Sequence, residues 1–536
     1  MGGEVTRWQG RIPLLVGVAG HRQLDSREQG DIEQRLRVFF AQLRAQIPAT
    51  PVVVVSRLAA GADQLAASAA LASGCQLACL LPVDVAAYRA AFESESARAT
   101  FDRLFAAGAV LAPAAPAGAA AEEAYALAGY SLARHATLLL VLWDGVESRR
   151  RGSVGDLVRA RTGGAMGDDP TLYVLPVGWS DRDSRGRPAP TARAAIDACG
   201  WSHADAFNAA VAAAARPELA GTPAPFGAVP DPRMAEVAGV RLAASLRAAE
   251  IRRALAWRKA LLQVIAFLAA IAFAMFIKFG DRAWILWVYL GLLAAALLVR
   301  TLIRHQGLHR RYLDCRRLSE GLRVAIYWRI AGVSSDTRGD SAAARLCAGP
   351  DATLSWVGLA IAALDGWMEG TALPAAFDGC EFAARHWLGS ESARDLHTQI
   401  PYYRAAASHL RRIVRRIEAV VSFTLITGVA SAALLAVMPA AWVGRAAPLL
   451  ITIMGFMPLV SGTASAAVDV PAEMEVARQY EYTGRLLARA ARRLAAAETV
   501  GERRQILFEA GAAVLAEQRV WHAVVGQRGP EGRARG

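Results

Sequence analysis

Cysteine is scarce in this chain, with six among 536 residues. They stand at Cys75, Cys79, Cys199, Cys315, Cys347 and Cys380, with no Cys-x-x-Cys. That excludes a disulfide scaffold and a cysteine-rich zinc site, and no metal is expected. Cys75 and Cys79 flank an apolar run and read as buried thiols. Lysine is nearly missing: Lys259 and Lys278 stand alone, and this arginine and alanine bias reads as a GC-rich genome. Charged residues make up 20% against 54% hydrophobic, which excludes a disordered chain. Charge is wholly absent from four long runs, so nothing in them marks a proton relay or a voltage sensor, which argues against a secondary transporter.

What is present is a mixed chain. A length of 536 residues predicts about three domains. Mean hydropathy of +0.26 is high for soluble domains alone and low for a protein embedded throughout. The uncharged runs are Ala260–Ile277, Ala283–Val299, Ala419–Gly444 and Ala446–Val468. About 20 helical residues cross a hydrocarbon core of about 30 Å, and flanking basic side chains can snorkel at the two shorter runs. Buried hairpins of a soluble bundle are the competing reading. The net charge of +13 is concentrated at 250–330, which brackets apolar runs rather than forming aromatic-interleaved grooves. That pattern suits a membrane surface and not nucleic acid. The runs pair into two hairpins. Arg252, Arg253, Arg258 and Lys259 precede the first, Arg300, Arg304, Arg310 and Arg311 follow it, and Arg411, Arg412, Arg415 and Arg416 precede the second. The positive-inside rule places both termini and the middle segment in the cytosol of a multi-pass inner (cytoplasmic) membrane protein. Met1–Gly10 is polar, so no signal peptide is expected.

Residues 11–179 alternate strand-length apolar runs with Ala-rich helical stretches. The expected strands are Ile12–Val18, Val52–Val55, Leu77–Leu81, Thr137–Leu142 and Thr171–Val177. This predicts a Rossmann-like α/β domain with a doubly wound parallel sheet, binding its ligand at the carboxyl ends of the strands. Gly17 and Gly20 allow a tight turn and close ligand approach. A helix starting near Ser26 offers N–H groups to a phosphate. Arg22 and Arg57 suit phosphate oxygens, and Asp63 and Asp144 suit ribose hydroxyls. His21 is a phosphate contact or an acid–base group, or a structural histidine.

The loop Ser56–Asp63, containing Leu-Ala-x-Gly-Ala-Asp, resembles the nucleotide-binding loop of the SLOG superfamily, which includes the DNA-processing Smf proteins and the lonely-guy cytokinin-activating enzymes. Gly17-x-x-Gly20-His21-Arg22, Leu81-Pro82-Val83 with Tyr88 and Phe92, and Trp143-Asp144-Gly145 are similar to its other loops. The resemblance implies a nucleotide or NAD-derived ligand and adds Gly61, Pro82 and Gly145 to the site. Catalytic members carry Pro-Gly-Gly-x-Gly-Thr and a following Glu; here the segment is Arg149-Arg150-Arg151-Gly152-Ser153-Val154-Gly155-Asp156. The missing Thr and Glu weigh against hydrolysis, while Gly152, Ser153 and Gly155 remain candidates for phosphate. Tyr312, Leu318, Glu320 and Leu322-Arg323, then Gln399 and Tyr402-Tyr403, then Leu515, Glu517 and Trp521, resemble SLATT two-helix membrane effector modules. That resemblance implies a homo-oligomeric effector in prokaryotic conflict systems, released by a nucleotide-derived signal that a separate enzyme produces. Melastatin-type cation channels show a similar pairing.

The expected organisation is a nucleotide-binding domain at 11–179, a Pro-, Gly- and Ala-rich linker or irregular insertion at 180–235, hairpin modules at 236–330 and 401–528, and a connecting segment at 331–400. Three functions compete. One is a ligand-gated effector that permeabilises the bilayer. Another is a membrane-tethered nucleotide or NAD hydrolase using His21, Asp63, Asp144 and Asp156. The last is a membrane-anchored structural or nucleic-acid-processing protein.

Overall fold

The computed structural model describes residues 8–111, 119–146, 148, 150–162, 171–177, 191–219, 223–229, 231–278, 282–333, 341–347, 356–370, 373–390, 392, 395, 397–437, 440–467 and 470–526. In chain order the first elements are β1 (Leu14–Gly20), α1 (Gln29–Gln46), β2 (Val52–Ser56), α2 (Ala62–Ala72), β3 (Gln76–Leu80), α3 (Val85–Ala90), α4 (Glu95–Ala107), β4 (Ala109–Leu111), α5 (Ala121–His135), β5 (Leu138–Trp143), α6 (Val154–Thr162) and β6 (Leu172–Pro176). Helices then follow: α7 (Ala192–Cys199), α8 (Trp201–Ala214), α9 (Pro232–Lys278), α10 (Ala283–His305), α11 (Leu308–Ala331), α12 (Ala342–Cys347), α13 (Trp356–Trp367), α14 (Gly379–Ala383), α15 (Gln399–Val437), α16 (Ala440–Ala467), α17 (Val470–Ala496) and α18 (Val500–Gly526). They fall into two compact units, Met1–Leu246 with Cys315–Glu381 and Arg247–Asp314 with Phe382–Gly536.

The first unit is built on a six-stranded sheet in the order β4-β3-β2-β1-β5-β6. Every neighbouring pair is parallel. Strands such as Val52–Ser56 and Leu138–Trp143 are buried along their whole length, which demands cover on both faces. Two glycines of β1 identify the covers. A Cβ on Gly17 would meet Leu132 of α5 at 3.2 Å, whereas one on Gly20 would overlap Ala62 of α2. Residues three apart on a strand point to opposite faces, so α5 and α2 lie on opposite sides, as in a doubly wound fold. Five strands fall within two residues of their expected positions. The sixth, β4, is only three residues long and pairs on one side. Its Ala-rich surroundings carry no period-2 signal that would have announced it.

Within the composition-defined linker at 180–235, residues 192–214 form α7 and α8 instead. Asn208 on α8 is wholly buried. Its Oδ1 accepts from the Ile12 N–H at 2.7 Å, and its Nδ2 donates to the Ile12 carbonyl at 2.9 Å and to Thr50 Oγ1 at 3.0 Å. The amide thereby satisfies main-chain groups just before β1 that no strand reaches. Residues 178–190, 220–222 and 230 lie outside the described residues. Part of the expected 331–400 segment also belongs to this unit: the Trp367 ring lies 5.0 Å from that of Trp8, and Arg329 Nε donates to Asp365 Oδ1 at 2.7 Å.

Four helical stretches are long and apolar enough to cross a membrane: Pro232–Ile277, Ala283–Ala331, Gln399–Val437 and Ala447–Ser465. Between 6% and 11% of their most apolar windows is buried within the chain. Most of these side chains are therefore not part of a core within the chain itself, as a buried soluble bundle would require. Trp257, just before the first apolar run, and Trp287, near the start of the second, are 70% and 73% exposed. In the second unit the Phe267 and Phe456 rings meet at 5.8 Å, and α15 packs along both α16 and α17. Pro448 and Pro458 lie inside α16. The connection expected at the first hairpin tip, 279–281, lies outside the described residues.

Candidate functional site

The chain places β1 to β4 on one side of the sheet and then returns to add β5 and β6 beside β1. The order therefore reverses between β1 and β5, and ligands of open α/β sheets bind outside the carboxyl ends of the strands at that point. His21 follows β1 there and Asp144 follows β5. His21 Nε2 lies 3.1 Å from Asp144 Oδ1, with both side chains about one-third exposed at 34%. The Asp144 N–H also donates to His21 Nε2 at 3.3 Å. A neutral imidazole can take the amide proton; a charged one can serve the carboxylate instead. Gly145, at φ +80°, lets the chain double back so that the Val146 N–H donates to Asp144 Oδ1 at 3.0 Å. The carboxylate is thus fixed by an Asx turn.

The loop after β2 is clasped to the loop after β1. Ser56 Oγ accepts from the Leu58 N–H at 3.0 Å, and Leu58 takes a left-handed φ of +55°. Gly61 at φ +83° carries the chain into α2, and the Ala62 N–H donates to the His21 carbonyl at 3.0 Å. A Cβ on Gly61 would overlap the Arg22 carbonyl oxygen. Only glycine permits both this φ and this approach. Arg22 is exposed, with its guanidinium 5.4 Å from the centroid of the Tyr125 ring.

Arg57 and Asp63 sit below this surface, 8% and 1% exposed. Arg57 Nε is 3.7 Å from Asp63 Oδ2. Burial pushes the Asp63 carboxyl up from its ordinary value; Arg57, the Ala59 and Gly20 amides and Arg22 oppose that rise. Neither carboxylate oxygen completes a hydrogen bond of standard geometry. Asp63 is therefore not a surface acceptor: the buried pair braces the clasp from beneath. Tyr88 is likewise core, 3% exposed with its ring 5.4 Å from Phe92, and Pro82 is buried before it.

Two phosphate contacts expected from sequence are taken up internally. Gly152, at φ +73°, donates its N–H to Asp156 Oδ2 at 2.9 Å, and Tyr130 donates its hydroxyl to the same oxygen at 2.5 Å. Ser153 Oγ caps α6 by accepting from the Asp156 N–H at 3.3 Å, and Gly155 is buried. These groups and Asp156, the remaining acid–base candidate, close a local helix start. Helix α1 begins at Gln29, not near Ser26, and has Glu28 at its N-cap and Asp31 in its first turn. Those carboxylates repel a phosphate at that helix end. Of the expected residues, the structure brings Gly20, His21, Arg22, Gly61, Asp144 and Gly145 together at the carboxyl ends of β1, β2 and β5. Gly17 is a packing contact for α5. Tyr125 went unnoticed in the sequence; an aromatic in the Ala-rich α5 was its one signal.

No protein-family model, curated protein or solved structure matches the chain.

Proposed function

We propose that the protein is a membrane effector whose α/β unit binds a nucleotide or NAD-derived ligand and whose apolar helices, arranged as two hairpins in a homo-oligomer, alter bilayer permeability. The observation that carries this reading is the coexistence of two features in one chain. Polar side chains that follow β1 and β5 meet at the switch point of a parallel sheet. Four largely unburied apolar helices have the length of a bilayer crossing. Exposed Trp257 and Trp287 suit the two interfacial belts of a bilayer. In this reading both termini and residues 304–417 are cytosolic, the membrane is the inner one, and the ligand reports a threat in the prokaryotic conflict setting that the SLOG and SLATT resemblance implies.

Gly455 and Gly462, two helical turns apart on α16, are exposed and meet nothing within 4 Å in their own chain, whereas a Cβ on Gly428 would meet Met457 at 3.7 Å. Small residues facing outward allow close approach of another subunit's helix. The ligand opens the assembly by binding the open arrangement more tightly than the closed one.

The test is the full chain reconstituted in dye-loaded liposomes and challenged with a panel of nucleotides and NAD derivatives, identified first by mass spectrometry of the copurifying species. Ligand-dependent leakage without turnover is expected, and Gly462→Leu should abolish it. Release of a base or phosphate without leakage would replace this reading with the tethered hydrolase.

A further inference from the structure

A groove of about 790 Å³ runs between α15 and α17 in the second unit, well away in sequence from the strand-end loops. Six arginines line it: Arg404, Arg411 and Arg415 from α15, and Arg485, Arg489 and Arg492 from α17. Among the described residues its one acidic lining residue is Glu481. That carboxylate is already shared, since Arg411 pairs with it and Arg485 Nη2 reaches its other oxygen at 2.5 Å. Among the described residues, Arg415 and Arg489 form no ion pair; the Arg415 Nε contact is with the Arg411 carbonyl at 3.4 Å. Both side chains are exposed. The helices approach closely at Gly484, where an added Cβ would meet the Cβ of Tyr403 at 3.4 Å, and Ala407 and Ala488 also line the groove. The space is therefore shaped by small residues below and cationic walls above.

Helix-end placement does not account for this. A basic residue in the last turn of a helix is favourable, which serves Arg493 on α17 but does not reach back to Arg485 and Arg489. It does not explain why α15 turns three arginines to the same groove, where like charges on two helices repel. Guanidinium groups converging from two walls fit phosphate oxygens, with bidentate geometry available to each. We propose that the α15–α17 groove is a second anion site, separate from the strand-end crevice, that takes a phosphorylated ligand. Two sources share that chemistry. Arg415 lies four residues before Ala419, where the apolar run begins, or about 6 Å along the helix. On the membrane reading given above, that puts one end of the groove level with lipid phosphates. Arg404 is about 22 Å from the same point, within reach of a soluble phosphate compound.

The test uses the full chain in mild detergent and compares wild type with Arg415→Gln/Arg489→Gln. Retention of cardiolipin against phosphatidylcholine is read by native mass spectrometry, and pyrophosphate binding by calorimetry. A control, Arg252→Gln/Arg253→Gln, removes the same charge from exposed positions before the first apolar run. Each arginine that faces the bound anion contributes about fivefold, so the groove variant should bind its anion about thirtyfold more weakly, while the control, whose arginines lie outside the groove, keeps wild-type affinity. Cardiolipin retention without pyrophosphate binding identifies a lipid headgroup; pyrophosphate binding, alone or in competition with cardiolipin, identifies the soluble source or the phosphate group itself. Wild-type affinity in the groove variant, equal losses in both variants, or no binding of either probe would overturn the proposal. Arg22→Ala leaves cardiolipin retention and the effect of the groove substitutions unchanged, so failure of the strand-end site and failure of the groove are separable.

Discussion

Replacing Gly61 by alanine should unfasten the clasp between the β1 and β2 loops. Two costs follow from its geometry. At φ +83° an L-residue is strained by about 1–2 kcal/mol. The new Cβ would also overlap the Arg22 carbonyl oxygen, a main-chain atom that no rotamer change can move. Forced overpacking of this kind costs about 1–3 kcal/mol. The sum, about 2–5 kcal/mol, is a sizeable share of the roughly 5–15 kcal/mol that holds an ordinary domain together. In a unit of this size, thermal unfolding followed by tryptophan fluorescence should shift down by about 3–8 °C. Gly30 is the control: it is exposed on α1 with nothing within 4 Å of a Cβ, so Gly30→Ala should leave the midpoint unchanged or raise stability by up to about 1 kcal/mol. The displaced Arg22 carbonyl also accompanies the His21–Asp144 contact, so ligand affinity should fall with stability in the Gly61 variant alone. A Gly61→Ala midpoint within a degree of wild type, or an equal loss in Gly30→Ala, would refute the argument.

Arg22→Ala should weaken the crevice ligand roughly ten- to a hundredfold by calorimetry with the midpoint unchanged, because the side chain is exposed. Asp63→Ala should instead lower the midpoint as well, by about 3–5 kcal/mol of stability, since it strands Arg57 below the surface. Glu369 accepts from Ser131 Oγ at 2.8 Å and lies 2.8 Å from His135 Nε2; burial would raise its carboxyl, but His135, Ser131 and Arg329 hold it at about 2. A depressed carboxyl stabilises the fold above its unfolded value near 4.5 and loses that contribution as pH falls toward 2, so wild type should lose about 3 kcal/mol over that window and Glu369→Gln much less, as read by urea denaturation at stepped pH. All six native cysteines are buried, so single introduced thiols report topology. In intact cells an impermeant maleimide should label Ala283→Cys and miss Ser408→Cys, and the reverse pattern would invert the proposed orientation.

The parallel sheet and the apolar helices were legible from sequence because each leaves a one-dimensional trace. A strand buried on both faces must read as a continuous apolar run, as Val52–Val55 and Leu138–Leu142 do, and a bilayer-length helix must be free of charge for about 20 residues. Arg22, His21 and Asp144 could be named because they directly follow such runs, where an α/β fold keeps its ligands. Their arrangement could not. That Asp63 is buried against Arg57 while Arg22 reaches outward to Tyr125 depends on which loop crosses over which, and that is set by close contact between Gly61 and a distant carbonyl. Gly152 and Ser153 look like phosphate ligands in sequence, yet the Asp156 carboxylate, four residues after Gly152 and held by the Tyr130 hydroxyl, takes the Gly152 N–H that a phosphate would need. The same holds for α8: alanine-rich composition conceals a single buried Asn208 whose value lies in the unpaired backbone of Ile12, some two hundred residues earlier. Periodicity and charge act locally and are written along the chain, whereas satisfying a buried polar group needs partners that only the folded chain brings together.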